Sequence, residues 1–192
     1  IDRGCPNQCP YCAAPYLKKV FLENGCGQYY RRKAIPRLVA ELEYLVSKYK
    51  PDYINFNSET FLAKPLEELQ EFAREYKKKI HLPFWVQTRP ETITEEKIKI
   101  LKEMGVDSMN FGIEHGNEAF RKKMLKRYGT NEQIVEGLKL VEKYQIPYTA
   151  NNIIGFPGET RDLIFDTIEL NRKLNPRTIN VLLFVPYKGT FL

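Results

Sequence analysis

Hydrophobic residues along the chain recur with two periods, one typical of helices and one typical of strands. Helical spacing predicts a helix over residues 35–49, which Pro51 ends. Further helices are predicted from Pro65 to residue 76, after the capping pairs Thr92–Glu95 and Thr130–Gln133, and over about 160–174. Between them, short apolar runs predict strands over 53–57, 83–88, 108–113, 148–154 and 179–185.

Strands and helices alternate throughout, which is typical of an α/β fold with a parallel sheet covered by helices. About six strands are expected if one ends at the cysteine-rich loop near the start of the chain, and this is too few for an eightfold barrel. No Gly-x-Gly-x-x-Gly follows a strand, which disfavours a dinucleotide-binding sheet. Periodicity alone leaves a barrel-like and an open doubly wound arrangement as alternatives.

Polar side chains stand where the predicted strands end. The carboxyl ends of parallel strands carry the functional site in barrels and open sheets alike, so we expect a shared polar cavity there. Capping of the following helices is the alternative for any single residue. The residues concerned are Asn57, Glu59, Gln87, Arg89, Glu114, Asn151 and Asn152.

Composition is that of a soluble globular domain. The chain has 192 residues, 43% hydrophobic and 28% charged, which suffices for one sizeable core. No apolar run approaches the roughly 18 residues of a membrane span and no signal peptide is present, so we expect a cytoplasmic protein without a membrane partner. Glutamates interleave with the basic residues, so the net charge of +6 permits a nucleic-acid partner without specifically supporting one. Because the chain begins with Ile1 rather than Met, we expect a fragment of a longer protein.

Three of the four cysteines, Cys5, Cys9 and Cys12, lie in one short loop. A disulfide framework is typical of small secreted chains, and structural zinc usually takes two separated pairs of ligands. Three clustered thiolates favour a [4Fe–4S] cluster with one iron left open. A zinc-binding structural module and an iron–sulfur electron carrier remain the alternatives. Cys26 is expected to be a free, partly buried thiol, with a second metal or the substrate as its alternative partner.

The loop Cys5-x3-Cys9-x2-Cys12, with Tyr11 before its last cysteine, resembles the signature of radical S-adenosylmethionine (SAM) enzymes. The resemblance is closest to a branch that often carries an N-terminal cobalamin-binding domain and is similar to the methylthiotransferases. It implies a partial TIM-type (β/α)6 barrel and one radical SAM core domain over residues 1–192. The later segments that carry it are 112–116, 125–127, 154–160 and 185–190.

The resemblance also implies roles for individual residues. Cys5, Cys9 and Cys12 would bind three irons, and SAM would occupy the fourth. Glu59 matches the acceptor for the methionine ammonium, although Asn57 and Ser58 replace the usual glycines. The remaining implied SAM contacts are Tyr11 and Ile153 near adenine, Glu114 on the ribose hydroxyls and Arg127 on the carboxylate.

The activity implied by the family is reductive cleavage of SAM to a 5′-deoxyadenosyl radical, followed by hydrogen abstraction or methyl transfer on an unknown substrate. A reductant such as flavodoxin or ferredoxin would supply the electron. Cobalamin is an expected further cofactor, held by a domain upstream of Ile1. The cofactors carry the difficult step, and the protein positions them and excludes water.

Overall fold

The computed structural model describes residues 1–192, and its elements alternate between strands and helices. They are β1 Asp2–Arg3, α1 Ala13–Glu23, β2 Arg31–Arg32, α2 Ile35–Tyr49, β3 Ile54–Phe56, α3 Leu66–Lys79, β4 Phe84–Thr88, α4 Glu95–Met104, β5 Val106–Glu114, α5 Glu118–Leu125, α6 Asn131–Lys143, β6 Tyr148–Ile154, α7 Arg161–Asn171 and β7 Thr178–Leu183. No helix combines the length and apolar character needed to cross a bilayer.

Five strands form one parallel sheet in the order β3-β4-β5-β6-β7. Every strand of this sheet pairs with its neighbour in the chain, and each connection contains at least one helix. The order follows the βα alternation of the sequence and confirms the predicted α/β fold with a parallel sheet flanked by helices.

The two faces of the sheet differ in chemistry. Buried apolar residues alternate along the strands, for example Phe84 and Val86 on β4 and Met109 and Phe111 on β5. They join the helices in a continuous core of 28 buried residues. The residues between them are half-buried and mostly polar, such as Gln87 on β4. The apolar face of the sheet therefore packs against the helices, and the polar face is available to bind polar groups.

The first predicted strand differs from expectation. The segment before the cysteine loop forms the two-residue strand β1, which pairs antiparallel with β2 and stands outside the parallel sheet. The sheet therefore has five parallel strands rather than about six. The helices α1 and α5 were not predicted, although Tyr16, Leu17, Val20 and Phe21 of α1 follow helical spacing.

Helix starts follow local capping chemistry, with one correction. The capping box of Thr130 and Gln133 opens α6 as predicted. The predicted pair Thr92–Glu95 is wrong, because Thr94 caps α4 by accepting a hydrogen bond from the Lys97 N–H. The Thr92 hydroxyl instead donates to the Arg89 carbonyl at 2.6 Å, within a short 3-10 turn.

Candidate functional site

The loop that carries three of the cysteines is folded back on itself at the start of α1. The Cys12 N–H donates to the Cys9 carbonyl at 3.1 Å. Cys12 is also the N-cap of α1, and its sulfur accepts a hydrogen bond from the Ala14 N–H at 3.4 Å. A helix N-terminus favours negative charge, so this position suits a thiolate. All three thiols of the loop are free and partly buried.

Cys5 lies against the segment that follows β3. The Asn7 side-chain amide donates to the Cys5 sulfur at 3.5 Å and to the Thr60 hydroxyl at 3.4 Å. The Thr60 hydroxyl itself lies 4.0 Å from the Cys5 sulfur. The cysteine loop and the carboxyl end of β3 are therefore joined at the first predicted iron ligand.

Cys9 faces a cation from the end of β4. Arg89 Nη1 lies 3.9 Å from the Cys9 sulfur, and Arg89 Nε is buried without a hydrogen-bond partner. Burial raises the pKa of the Cys9 thiol, while the Arg89 guanidinium acts in the opposite direction. The Cys12 thiol also has a pKa raised by burial, opposed by the Ala14 N–H.

The cysteine loop fits an iron–sulfur cluster better than a single metal ion. No three His, Cys, Asp or Glu side chains come close enough together to share one ion. A [4Fe–4S] cluster takes one thiolate per iron and needs no such convergence. Asn7, the Ala14 N–H and Arg89 direct hydrogen-bond donors or a cation toward the thiols, which suits a centre with net negative charge. The donor set therefore fits the cofactor that the resemblance implies.

A buried ion pair anchors the segment before the cysteine loop. Lys64 Nζ lies 2.6 Å from Asp2 Oδ2, and both side chains are almost completely buried. The Ser58 hydroxyl donates to the same carboxylate oxygen at 2.9 Å. Burial lowers the pKa of Lys64, and Asp2 acts against this shift. Asp2 thus fixes β1 to the segment that also carries Glu59 and Thr60.

A second buried cluster of charges closes the other side of the loop. Arg127 is 2% exposed and lies 2.9 Å from Glu114 and 3.0 Å from Glu91. Glu91 also pairs with Arg89 at 3.0 Å. The side chain of Glu114 folds over Gly112, where a Cβ would collide with its carboxylate. A side chain at position 112 would therefore displace the Glu114 carboxylate from its present position.

The charges of this cluster shift one another's pKa values. Burial alone would raise the pKa of Glu91, but Arg127 and Arg89 outweigh it and lower the pKa to about 2. For Glu114, burial prevails over Arg127 and the pKa is raised. Burial would lower the pKa of Arg127, but the carboxylates raise it, so the guanidinium stays charged. The result is a fixed arrangement of charges beside Cys9.

Tyr11 connects the cysteine loop to this cluster and to the segment after β6. Its ring packs edge-on against Phe156, with centroids 5.8 Å apart. Burial raises the pKa of the Tyr11 phenol well above its ordinary value, and Glu114 adds to the shift. Tyr11, Glu114 and Arg127 are therefore brought together beside the thiols.

Two other predicted SAM contacts occupy different surroundings. Glu59 is exposed and forms no ion pair, and its charge acts on Cys12 across the loop. Ile153 is half-buried on β6 and lies beside Leu182 of β7. Both arms of the Arg127 fork already bind carboxylates in this structure. The assignments of all these residues to SAM stay predictions.

The structure corrects two other expectations. Asn152 does not join the other polar residues at the strand ends, because its amide is buried and exchanges hydrogen bonds with Asn171 of α7 at 3.1 and 2.9 Å. Cys26 is exposed rather than partly buried. His115 is fully buried 3.0 Å from Glu159, which also accepts hydrogen bonds from the Gly155 and Phe156 N–H groups.

Arg89 and Glu91 are more important than the sequence indicated. Arg89 was one of several polar residues at strand ends, and Glu91 carried no signal of its own. The only sequence feature that indicates a role for these two residues is the segment Arg89-Pro90-Glu91, which places two opposite charges directly after a strand. Arg127 was expected to be solvated or to bind SAM, and its pairing with Glu91 joins residues 36 positions apart.

Comparisons with known proteins agree with this geometry. The chain is 27% identical over 191 residues to an uncharacterised methyltransferase of Pyrococcus horikoshii, covering 100% of this chain and 40% of that protein. It is 28% identical over 204 residues to the tRNA-2-methylthio-N(6)-dimethylallyladenosine synthase of Fusobacterium nucleatum subsp. nucleatum, covering 99% and 44%. The chain thus spans about two fifths of the length of these relatives.

A solved structure shares the fold. The radical SAM methyltransferase TsrM of Kitasatospora setae, solved with cobalamin and a [4Fe–4S] cluster, superposes with a TM-score of 0.81 at 19% identity, covering 99% of this chain and 34% of that one. This match confirms the partial TIM-type barrel. The family model described as the Radical SAM superfamily, whose members use a [4Fe–4S] cluster and SAM, matches residues 1–170. The chain therefore belongs to the radical SAM superfamily.

Proposed function

We propose that residues 1–192 are the radical SAM core of a longer cytoplasmic enzyme, in which Cys5, Cys9 and Cys12 hold a [4Fe–4S] cluster. The observation that carries this proposal is the arrangement of the three thiols. Cys12 caps a helix, Cys5 accepts a hydrogen bond from Asn7, and Cys9 faces Arg89. Each thiol therefore has its own hydrogen-bond donor or cation, which favours the thiolate form that binds iron.

SAM would lie between the cysteine loop and the carboxyl ends of the strands. Glu59 has a free carboxylate at one side of the loop, where it can accept the methionine ammonium. Tyr11 and Ile153 would contact adenine, and Glu114 would accept the ribose hydroxyls. Arg127 holds Glu114 in place and can reach the SAM carboxylate if one of its present partners is exchanged.

When bound, the reduced cluster supplies the electron that cleaves the carbon–sulfur bond of SAM. The chain's own residues orient SAM and keep water away. The rings of Tyr11 and Phe156 pack together beside the thiols. The buried guanidinium of Arg127 fixes Glu114 through an ion pair. Preorganised charges of this kind need no rearrangement during the reaction.

The outcome of the reaction is hydrogen abstraction or methyl transfer on a substrate still to be identified. Similarity to methyltransferases and to a tRNA methylthiotransferase supports a transfer reaction. We also propose that the full protein carries a cobalamin-binding domain. A protein such as flavodoxin or ferredoxin would serve as the one-electron donor. A donor is required because SAM cleavage consumes one electron.

The test is SAM cleavage by anaerobically reconstituted protein with dithionite. We expect 5′-deoxyadenosine and methionine, or S-adenosylhomocysteine if SAM serves as a methyl donor. Cys12→Ala is the control without an intact cluster. The proposal fails if neither product exceeds this control while wild-type protein contains its cluster and binds SAM.

A further inference from the structure

A histidine and a glutamate that are buried together join the ends of β5 and β6. His115 directly follows β5, and Glu159 lies in the segment between β6 and α7. His115 Nε2 lies 3.0 Å from Glu159 Oε1, and the two side chains are 0% and 1% exposed. Neither of these two atoms has another polar partner. We call this pair the His115–Glu159 link.

The surroundings of His115 determine which ring nitrogen carries the proton. The Asn117 N–H donates to His115 Nδ1 at 3.0 Å, so the neutral ring carries its proton on Nε2, on the side of Glu159. Burial lowers the pKa of His115, although Glu159 opposes this shift, and the ring is therefore neutral at neutral pH. The ring also stacks on Phe120, with centroids 4.4 Å apart. The imidazole is thus held both at its edge and on its face.

Glu159 fixes the turn that follows β6. Its second carboxylate oxygen accepts hydrogen bonds from the Gly155 N–H and, at 3.2 Å, from the Phe156 N–H. Gly155 has a φ of +85°, a conformation that favours glycine. The Phe156 ring is buried and packs against Tyr11, with centroids 5.8 Å apart. The position of Glu159 therefore sets the position of the aromatic ring beside Tyr11.

His115 fixes the backbone beside Glu114. Glu114 has a φ of +69°, in the left-handed region that few residues other than glycine adopt. Such a conformation persists only where the surrounding structure holds it. The His115 N–H donates to the Ile113 carbonyl at 2.9 Å, and the His115 carbonyl accepts a hydrogen bond from the buried Arg121 at 2.6 Å. These bonds and the link hold the turn from which Glu114 reaches Arg127.

Stability alone does not account for the link. A buried polar pair is weak evidence of stabilisation, because apolar side chains of similar volume often serve a fold equally well. Contacts between polar groups differ from apolar packing in being directional, so they fix the relative position of the segments that they join. The two segments joined here present Glu114, the proposed ribose contact, and Phe156, the aromatic neighbour of the proposed adenine contact Tyr11.

We propose that His115 is a positioning residue for SAM, which acts through Glu159 on Tyr11 and through the backbone on Glu114. It sets the spacing between the ribose contact at the end of β5 and the adenine contact in the cysteine loop. Because His115 is fully buried, it does so without touching SAM. This inference rests on the proposed function, since it takes SAM to lie between those two contacts.

The test compares KM and kcat for SAM cleavage in the full-length, cluster-loaded protein, with calorimetry giving the Kd for SAM in parallel. His115→Leu removes the link, so the adenosine half of SAM loses contacts while those of the methionine half are kept. We expect KM and Kd for SAM to rise roughly three- to tenfold, with kcat within about twofold of the wild type. His115→Gln restores a side-chain N–H donor and should bring KM back to within about twofold.

Asn171→Leu is the matched control, because it breaks another buried polar pair, the one that Asn171 forms with Asn152 between β6 and α7. It should lower the midpoint of urea denaturation without raising KM, and a purely structural role of His115 would give the same pattern. Absence of SAM cleavage by the wild type contradicts the proposed function. A wild type that cleaves SAM while His115→Leu keeps its KM, or an equal rise of KM in Asn171→Leu, overturns this inference.

Glu159→Gln carries the test if His115→Leu does not retain its iron. Glutamine has nearly the same volume as glutamate, but its amide sets a donor against the His115 N–H or against the backbone N–H groups of Gly155 and Phe156. The same rise of KM is expected for this variant. An unchanged KM in Glu159→Gln would overturn the inference in the same way.

Discussion

At the scale of single residues, the surroundings of the thiols decide the properties of the cluster that they are proposed to hold. Asn7 is the one side-chain amide that donates to a cysteine sulfur. Hydrogen bonds to the sulfur ligands stabilise the reduced, more negative state and raise its reduction potential. We therefore predict that Asn7→Ala lowers the potential by about 20–60 mV, equivalent to about 0.5–1.4 kcal/mol for one electron.

An EPR-monitored redox titration measures this shift. Asn24→Ala removes an amide that bonds only the Val20 carbonyl at the end of α1, so its potential should equal that of the wild type. Iron content should be unchanged in both variants. Equal potentials for Asn7→Ala and the wild type would mean that the amide turns away when the cluster is bound.

The cysteines give the second prediction. Cys5→Ala, Cys9→Ala and Cys12→Ala should each lose the cluster, because each thiolate is proposed to hold a different iron. Cys26→Ala should keep full iron and sulfide content, since this thiol is exposed and contacts only the Asn24 carbonyl. Wild-type iron content in Cys9→Ala would contradict the assignment of the loop.

Glu59 gives the third prediction. A charge-assisted hydrogen bond to the methionine ammonium contributes about 1.5–3 kcal/mol, so Glu59→Gln should weaken SAM binding roughly ten- to a hundredfold without loss of iron. Calorimetry measures the affinity, with Glu67→Gln on α3 as the control. An unchanged affinity would leave Glu59 as an exposed residue of the turn after β3.

At the scale of elements, sequence reasoning succeeds where local chemistry decides. The alternation on β6 predicted both ends of that strand, and the apolar stripe of α3 predicted that helix to within three residues. Thr94 rather than Thr92 caps α4, because the two threonines lie within three positions and either can serve as an N-cap. The antiparallel pairing of the strand before Cys5 could not be predicted, since it depends on residues that lie 28 and 30 positions later.

The N-cap of α6 gives the fourth prediction. Thr130 and Gln133 satisfy two backbone N–H groups at the start of that helix. Thr130→Ala should lower the free energy of unfolding by about 1 kcal/mol, measured by urea denaturation. Ser47→Ala, at an exposed position within α2, should change it by less than about 0.5 kcal/mol. Equal effects would show that α6 is fixed by its packing alone.

At the scale of the whole molecule, the site consists of residues that are distant in sequence. The strand-end rule correctly predicted that Glu114 and Arg89 lie at one edge of the sheet. It could not predict that Arg127 bridges Glu91 and Glu114, because such pairs depend on how three separate loops meet. The three cysteines proposed as cluster ligands could be picked out because they are local in sequence, whereas the charges around them come from distant segments.

The charge cluster of Arg127 gives the last prediction, the pH dependence of stability. Glu91 has a pKa of about 2 in the folded protein against 4.5 when unfolded, so its contribution is complete above about pH 5 and is lost as the pH falls toward 2. The stability difference between wild type and Glu91→Gln should therefore approach at most about 3 kcal/mol near pH 7 and shrink below pH 4.5.

Glu114 is the internal comparison, because its pKa is raised in the folded protein. Its contribution is present below its unfolded pKa and is lost as the pH rises, so the difference between wild type and Glu114→Gln should fall between pH 4 and pH 7. Urea denaturation of the three proteins at several pH values gives both slopes. The same pH dependence of stability for the two variants would show that Arg127 does not favour ionised Glu91 over ionised Glu114. It would also mean that Glu114 is free to turn toward a ligand.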